Sequence, residues 1–326
     1  MVPERTDTDE FKAQAAEFAA KLGDQKRVLV TTHISPDGDA VASMLSASEI
    51  LRQLDSDAIC CLPDRVPRRY DFLPGADCII ETADLNDKDW DRILVVDSGN
   101  LSRIGDLANR ISPETPLVNV DHHIDNERFG ELNVVYPEAA STTEILFDLI
   151  QTLHLSIPDN LATLIYAGLF TDTGGFRFPN TTERTFSIAA RMVRHGANPN
   201  DIAEAVYASN SPTSMRLLGK ALSSLELTEN GCLATMTVEQ DNSAEEMEDL
   251  ADYGLAIKGV RAAALFRLEG ESVRVSLRGR GTVDVSRVAR RFGGGGHTKA
   301  AGFTIKGDYD KLRSQVIAAL NEEIGR

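Results

Sequence analysis

V-L-V-T-T-H-I-S-P-D-G-D, residues 28–39, is the stretch on which the reading of this chain turns. Its first five residues, Val28, Leu29, Val30, Thr31 and Thr32, are apolar or β-branched and suit a buried parallel strand. Ser35, Pro36 and Gly38 then break the run. His33, Asp37 and Asp39 fall just beyond the strand end, and a helical pattern over residues 40–54 follows directly. One imidazole and two carboxylates on a folded loop are the inventory of a divalent-metal site. The same acidic residues also read as capping groups, with Asp39 as the N-cap of the helix. Taken by itself, the stretch supports both readings equally.

The pattern recurs further along. A second apolar run covers residues 58–62, ahead of a Pro- and Arg-rich loop at 63–74. A strand predicted over 92–96 ends on Asp97, followed by Ser98, Gly99 and Asn100, and a fourth over 117–120 ends in Asp121, His122 and His123. In an open parallel α/β sheet the functional crevice lies at the carboxyl ends of the strands, so ligands on three strand ends would converge. Capping does not explain such repetition. A helix is predicted over 141–153, with Ser141 as N-cap and Glu144 completing a capping box. Another is predicted over 158–170, and the T-D-T-G-G-F that follows supplies Asp172.

His33, Asp37, Asp39, Asp97, His122, His123 and Asp172 are thus the candidate ligands. Four carboxylates and two or three imidazoles exceed what one hard ion needs and suit two. The Asp and His mixture favours Mn2+ over Mg2+, because imidazole suits a transition metal better. Two such ions, about 3.5–4 Å apart, can stabilise both the attacking and the leaving oxygen of an in-line phosphoryl displacement. The reaction class is metal-assisted phosphoester or phosphoanhydride hydrolysis, with no serine or thiolate nucleophile required.

Composition sets the frame. At 326 residues the chain has room for two domains of an ordinary globular protein. Residues 1–27 carry Phe11, Ala15, Phe18, Ala19 and Leu22 at helical spacing and read as a surface helix without a targeting signal. No apolar run approaches a membrane span, and the expected location is cytoplasmic. Cys60, Cys61, Cys78 and Cys232 are too irregularly spaced for a disulfide framework or zinc ribbon and read as buried or incidental thiols. The net charge of -16 is uneven: residues 1–210 hold 18 Lys and Arg against 34 Asp and Glu, whereas residues 211–326 balance at 16 against 16. Within the second part, residues 258–299 hold 10 basic and 3 acidic side chains, a local footprint suited to a phosphate-bearing ligand.

The fold class expected is α/β, an N-terminal parallel-sheet domain plus a smaller C-terminal mixed α/β domain. Short helices are predicted over 198–207 and 211–225, with the junction at 208–212. Beyond it come strand-like runs at 232–238, 262–268 and 273–277, an acidic helix over 243–253 and a helix over 283–291. The division expected is a catalytic domain over 1–208, a linker helix over 209–228 and a substrate-binding domain over 229–326. F-G-G-G-G-H-T-K-A-A-G-F, residues 292–303, lies near the end.

H-x-x-P-D-G-D at 33–39, V-D-S-G at 96–99, D-H-H at 121–123 and T-D-T-G-G-F at 171–176 resemble the successive motifs of the DHH phosphoesterase superfamily. The Gly-rich segment resembles that of the DHH-associated domain, so the resemblance runs from Val28 to about Ile305. It implies that His33, Asp37 and Asp97 hold one Mn2+ and that Asp39, Asp97, His122 and Asp172 hold the other, with Mg2+ as a substitute. Asp97 would bridge. His123 would face the substrate phosphate, stabilising developing charge or protonating the leaving oxygen, and Asp121 would support the site from behind. The resemblance also implies an active site in the cleft between the domains. There Arg278, Gly294, Gly295, Gly296 and His297 would contact the substrate, glycines allowing close approach of backbone N–H groups. S-L-R-G departs from the S-L-R-S of many relatives, Gly279 removing a hydroxyl.

The two-domain layout resembles the bacterial nano-RNases, which implies hydrolysis of very short single-stranded RNA to mononucleotides and dephosphorylation of 3'-phosphoadenosine 5'-phosphate. Linear or cyclic dinucleotides are the alternative substrates. A nucleotide-binding sensor without turnover is the alternative of another class, and the complete ligand set speaks against it. The sequence leaves the oligomeric state open, a homodimer included.

Overall fold

The computed structural model describes residues 5–24, 26–63, 65–86, 90–112, 114–208, 211–228, 230–239, 250–296 and 298–325. The chain divides into two compact units, Met1–Ser209 and Asn210–Arg326.

The first unit runs α1 (Asp9–Leu22), β1 (Arg27–Thr31), α2 (Gly38–Gln53), β2 (Asp57–Leu62), β3 (Ile80–Glu81), β4 (Arg92–Val96), β5 (Leu117–Asp121), β6 (Leu132–Val135), α3 (Thr142–Thr152), α4 (Asp159–Asp172), α5 (Glu183–Arg194) and α6 (Pro199–Tyr207). Its strands form one parallel sheet in the order β3-β2-β1-β4-β5-β6. Both faces are covered, which is why β1 and β4 read as continuous apolar runs rather than alternating ones. Val28 and Val30 join one core with Phe11, Phe18, Met44, Leu51, Ile145 and Ile165. Leu29, Ile93 and Val95 point the other way, against Trp90, Ile104 and Leu107. The first core is laid by α1, α2, α3 and α4; on the second face a 3-10 segment, Leu101–Arg110, takes the place of a full helix.

Three elements of this unit escape the sequence reading, the first being β3, which has only two residues. β6 is only four residues with Asn133 inside it, too short for a clear period. α5 starts on a capping box built from Thr182 and Thr185 rather than Glu or Gln, and buries Ile188, Ala189 and Met192. The box expected at α3 also differs. Ser141 Oγ accepts from Glu144 N at 3.2 Å, but the Glu144 carboxylate accepts from Ala140 N and pairs with Arg5 and Arg184. Asp148, one turn on, takes the same two arginines, which draws the N-terminal Arg5 onto α3.

The second unit runs α7 (Pro212–Ser223), β7 (Glu226–Leu227), β8 (Leu233–Glu239), α8 (Asp252–Leu255), β9 (Ala262–Glu269), β10 (Ser272–Gly279), α9 (Val285–Arg291), β11 (Gly295–Gly296), β12 (Ala300–Lys306) and α10 (Tyr309–Ile324). The mixed sheet has the order β11-β12-β10-β9-β8-β7, with only β8 and β9 parallel. Phe266, Val275, Leu277, Val288, Val316 and Leu320 make its main core. The α/β class therefore holds in both halves. α7 is not a free linker: Leu217, Leu218 and Ala221 pack on Met236, Val238 and Leu265 of this sheet. Of the acidic helix expected over 243–253, residues 243–249 lie outside the described residues, and only Asp252–Leu255 is helical. Cys60 and Cys61 are buried as read, whereas Cys78 is exposed. Among the described residues no helix is long and apolar enough to cross a membrane.

Candidate metal centre

β1, β4 and β5 are neighbours in the sheet, with strand axes about 4.8 Å apart. Whatever follows their carboxyl ends is therefore brought together. His33 comes two residues after β1, Asp97 one after β4, and β5 ends on Asp121 with His122 and His123 next. His33 Nε2 lies 3.7 Å from Asp97 Oδ2, while His122 Nε2 and His123 Nδ1 lie 3.6 and 3.8 Å from Asp97 Oδ1. Two groups result, His33 with Asp37 and Asp97, and Asp97 with His122 and His123, each with ligand atoms within 4.8 Å of one another. Asp97 belongs to both. It is held at φ 52°, a left-handed conformation that costs energy for most residues and is tolerated best by Asn and Asp.

The gaps around Asp97 are too long for hydrogen bonds and wide enough for a cation with bonds of about 2.0–2.2 Å. Backbone carbonyls set the tautomers. His33 Nδ1–H donates to Ile34 O at 2.8 Å, and His122 Nδ1–H donates to Ala139 O at 3.3 Å. Each leaves an Nε2 lone pair aimed at Asp97, and His122 Nε2 also lies 3.6 Å from Asp172 Oδ2. His123 is held differently: its Nδ1 meets Asp121 Oδ1 at 2.6 Å. Asp121 is fully buried, and its other oxygen accepts from Asn126 Nδ2, which also reaches Asn119 Oδ1 at 2.8 Å.

Asp37 and Asp39 divide the two roles that the sequence left open. Asp37, not Asp39, is the N-cap of α2, its Oδ1 accepting from Ala40 N at 3.0 Å. Asp39 is 1% exposed and turns inward to the start of α3. Its Oδ2 accepts from Thr142 N at 2.7 Å, and its Oδ1 accepts from Thr143 N at 3.3 Å and Thr143 Oγ1 at 2.9 Å. Thr142 Oγ1 donates to Asp97 Oδ1 at 2.8 Å, so one threonine ties two candidate ligands together. Asp39 and Asp172 stand outside both three-residue groups. Asp172 is steadied by Asn180, whose Nδ2 donates to its backbone O at 3.2 Å and to Ala140 O at 2.9 Å.

Thr142, Thr143, Asn126 and Asn180 escape the sequence reading, as does Gly168 of α4. A Cβ at Gly168 would stand 2.5 Å from Asp39 Oδ1 and 2.4 Å from Thr143 Cγ2. The only local signal was the S-T-T-E at 141–144, which reads as a helix start whatever its hydroxyls and N–H groups receive.

The electrostatics show why this cluster suits a cation. Burial raises the Asp39 carboxyl well above its usual range, and the charges of Asp97 and Asp172 add to that. Burial pushes Asp172 up to about 7, with His122 opposing and Asp37 and Asp97 reinforcing. Burial disfavours the charged form of His122, yet Asp172, Asp97 and Asp39 outweigh it and raise its pKa to about 9. Asp97 alone is driven down, because the facing imidazoles of His33, His123 and His122 overcome its burial. Carboxylates so close and so dry draw protons in, and divalent cations relieve the same field. Hard oxygens with imidazole nitrogens are a donor set for Mn2+-like ions, so the residues fit the group.

The remaining candidates belong to the second unit. Arg278 lies on β10, with Nε 2.9 Å from Asp252 Oδ1. Gly295–Gly296 form the edge strand β11 against β12. A Cβ at Gly294 would collide with Gly302 O at 2.2 Å, and Gly296 has φ 132°, so neither position admits a side chain without displacement. His297 lies outside the described residues.

A parallel sheet whose central strands deliver carboxylates and imidazoles to one edge defines an α/β protein built around a divalent-metal centre. Residues 27–169 match the DHH family, N-terminal domain, and residues 230–325 match the DHHA1 domain. The "Bifunctional oligoribonuclease and PAP phosphatase NrnA" of Thermus thermophilus is 34% identical over 92% of this chain and 90% of its own length. The protein of the same name from Bacillus subtilis is 29% identical over 85% and 89%. Among solved structures, an exopolyphosphatase-related protein from Bacteroides fragilis superposes with a TM-score of 0.89 at 26% identity, covering 95% of this chain and 96% of that one. The chain belongs to the DHH family, carries a DHHA1 domain after it, and is a hydrolase of the phosphoesterase class.

Proposed function

We propose that the chain is a two-metal phosphodiesterase, with Mn2+ as its preferred ion, that degrades very short oligoribonucleotides to mononucleotides and dephosphorylates 3'-phosphoadenosine 5'-phosphate. The observation that carries the metal reading is Asp97, one carboxylate facing His33 through Oδ2 and His122 through Oδ1. His33, Asp37 and Asp97 would hold one ion; Asp39, Asp97, His122 and Asp172 would hold the other. Asp39 keeps acceptor capacity for this on Oδ2, where a single N–H is bound. Bound, the ions supply electrostatic stabilisation of the charge that develops on the phosphoryl oxygens.

The chain supplies the rest. Asp121 holds the Nδ1 proton of His123 and so presents Nε2 as a hydrogen-bonding and proton-transferring atom toward substrate. The Asn119–Asn126–Asp121 chain fixes that orientation. In the second unit, Arg278, the Gly294–Gly296 backbone and His297 would bind the substrate phosphate or base, Arg278 exchanging Asp252 for a phosphate oxygen. The short substrate is supported by the similarity to two relatives named as oligoribonucleases and 3'-phosphoadenosine 5'-phosphate phosphatases. It is also supported by the excess of 34 acidic over 18 basic side chains in residues 1–210, which repels a long polyanion lying over that surface. A cytoplasmic location belongs to the same reading, since that is where RNA fragments arise.

The test is hydrolysis with Mn2+ of four substrates: a 5'-phosphorylated RNA dinucleotide, 3'-phosphoadenosine 5'-phosphate, a cyclic dinucleotide and a long single strand. The expected result is rapid loss of the first two and little change in the last. Faster turnover of the cyclic dinucleotide would move the chain to the other substrate class. Tight retention of all ligands without turnover would replace the enzyme by a sensor.

A further inference from the structure

Arg103 stands outside the candidate ligand set. It lies six residues beyond Asp97, in the first turn of the 3-10 segment Leu101–Arg110. Its backbone is fixed at both ends: Asn100 Oδ1 accepts from Arg103 N at 3.2 Å, and Arg103 O accepts from Ile34 N at 2.7 Å. Ile34 is the residue after His33, so this bond clamps the loop leaving β4 to the loop leaving β1. Gly105 tightens the clamp. It has φ 63° and ψ -145°, and a Cβ there would stand 2.9 Å from Ile34 Cγ2 and 3.3 Å from Pro63 Cβ. Arg103 is therefore held beside His33 by backbone geometry rather than by its own side chain.

The side chain is half-buried, and its charge is felt at the neighbouring His33 imidazole. Among the described residues its guanidinium makes no hydrogen bond and no ion pair. That is unusual in a unit where carboxylates outnumber cations almost two to one and where Arg5, Arg27, Arg52 and Arg184 all find acidic partners. A surface arginine without a partner is common when fully exposed; one tied beside a cluster of carboxylates is not.

The charge balance says what it is for. Asp37, Asp39, Asp97, Asp121 and Asp172 bring five negative charges, and two divalent cations return four positive ones. A phosphate approaching that centre meets a net negative charge unless another cation stands at its rim. A guanidinium presents a planar fork that matches two phosphate oxygens at once. We infer that Arg103 grips non-bridging oxygens of the substrate phosphate from the His33 side of the cluster, as a substrate-binding residue of the first unit.

This inference rests on the phosphoesterase reading of the cluster, and its test separates the two. Inorganic phosphate is titrated calorimetrically into Mn2+-loaded protein freed of excess metal, for the native chain, Arg103→Gln and Arg103→Lys, with metal content measured beforehand. Arg103→Gln is expected to weaken phosphate binding about tenfold or more at unchanged metal content, with Arg103→Lys recovering part of the loss. In turnover KM rises by a similar factor while kcat changes less. Equal phosphate affinity in all three proteins, or loss of metal from Arg103→Gln, overturns the assignment. Failure of the short-RNA reading shows instead as a native enzyme that releases no mononucleotide, and the phosphate titration remains decisive in that case.

Discussion

Asp97→Asn is expected to lose both metal ions and to slow hydrolysis by about a thousandfold, equivalent to about 4 kcal/mol of transition-state stabilisation. Asp97 is the side chain common to both ligand groups, so replacing one of its oxygens by an amide nitrogen weakens two sites rather than one. The variant separates metal loss from misfolding. Asn tolerates the left-handed backbone at φ 52° about as well as Asp does, and its amide oxygen still accepts from Thr142 Oγ1. Without metal the variant should melt at or somewhat below the native protein, because Asp97 is the carboxylate of the group that the facing imidazoles of His33, His123 and His122 hold in its charged form. Measuring Tm with and without Mn2+ checks this. A native protein that gains no more from Mn2+ than Asp97→Asn does would remove Asp97 from the centre.

Gly168→Ala should be nearly as damaging, although the residue carries no chemistry. α4 passes so close to the start of α3 that an added methyl group meets Asp39 Oδ1 at 2.5 Å and Thr143 Oγ1 at 2.5 Å. Either the Asp39 carboxylate leaves its N–H donors or α4 moves away from α2 and takes Asp172 with it. Overpacking of this kind costs about 3 kcal/mol. For a unit of this size that is a fall in Tm of about 6–12 °C. Metal affinity should fall with it, since Asp39 and Asp172 both face His122. Unchanged Tm and Mn2+ affinity in this variant would mean that the helices yield without disturbing the ligands.

How much of this was legible in the sequence follows from where each signal lies. The strand over residues 92–96 is found where its period predicts it, and its two inner neighbours differ by a residue at their ends, because β-branched runs stopped by polar turn residues are local signals. Most candidate ligands stood out for the same reason, lying at or just beyond the end of such a run, whereas Asp172 ends a helix. What completes the site is not local. Thr142 reaches Asp39 across 103 positions and Asp97 across 45, and nothing around residue 142 announces those partners. Gly168 reads as one small residue in an apolar helix until α3 is beside it. Asp37 and Asp39 both looked like caps, and only the direction of each side chain separates them. In the second unit the Gly-rich run hid the edge strand β11 and the long strand after it, since glycine carries no hydrophobic period.

The most direct test of the central claim is the number of Mn2+ ions held per chain after equilibration with the metal and removal of the excess, measured by elemental analysis. The geometry predicts two for the native protein and fewer than one for Asp97→Asn. Two ions in both proteins, or none in the native one, would contradict a centre bridged by Asp97 and the phosphoesterase mechanism built on it.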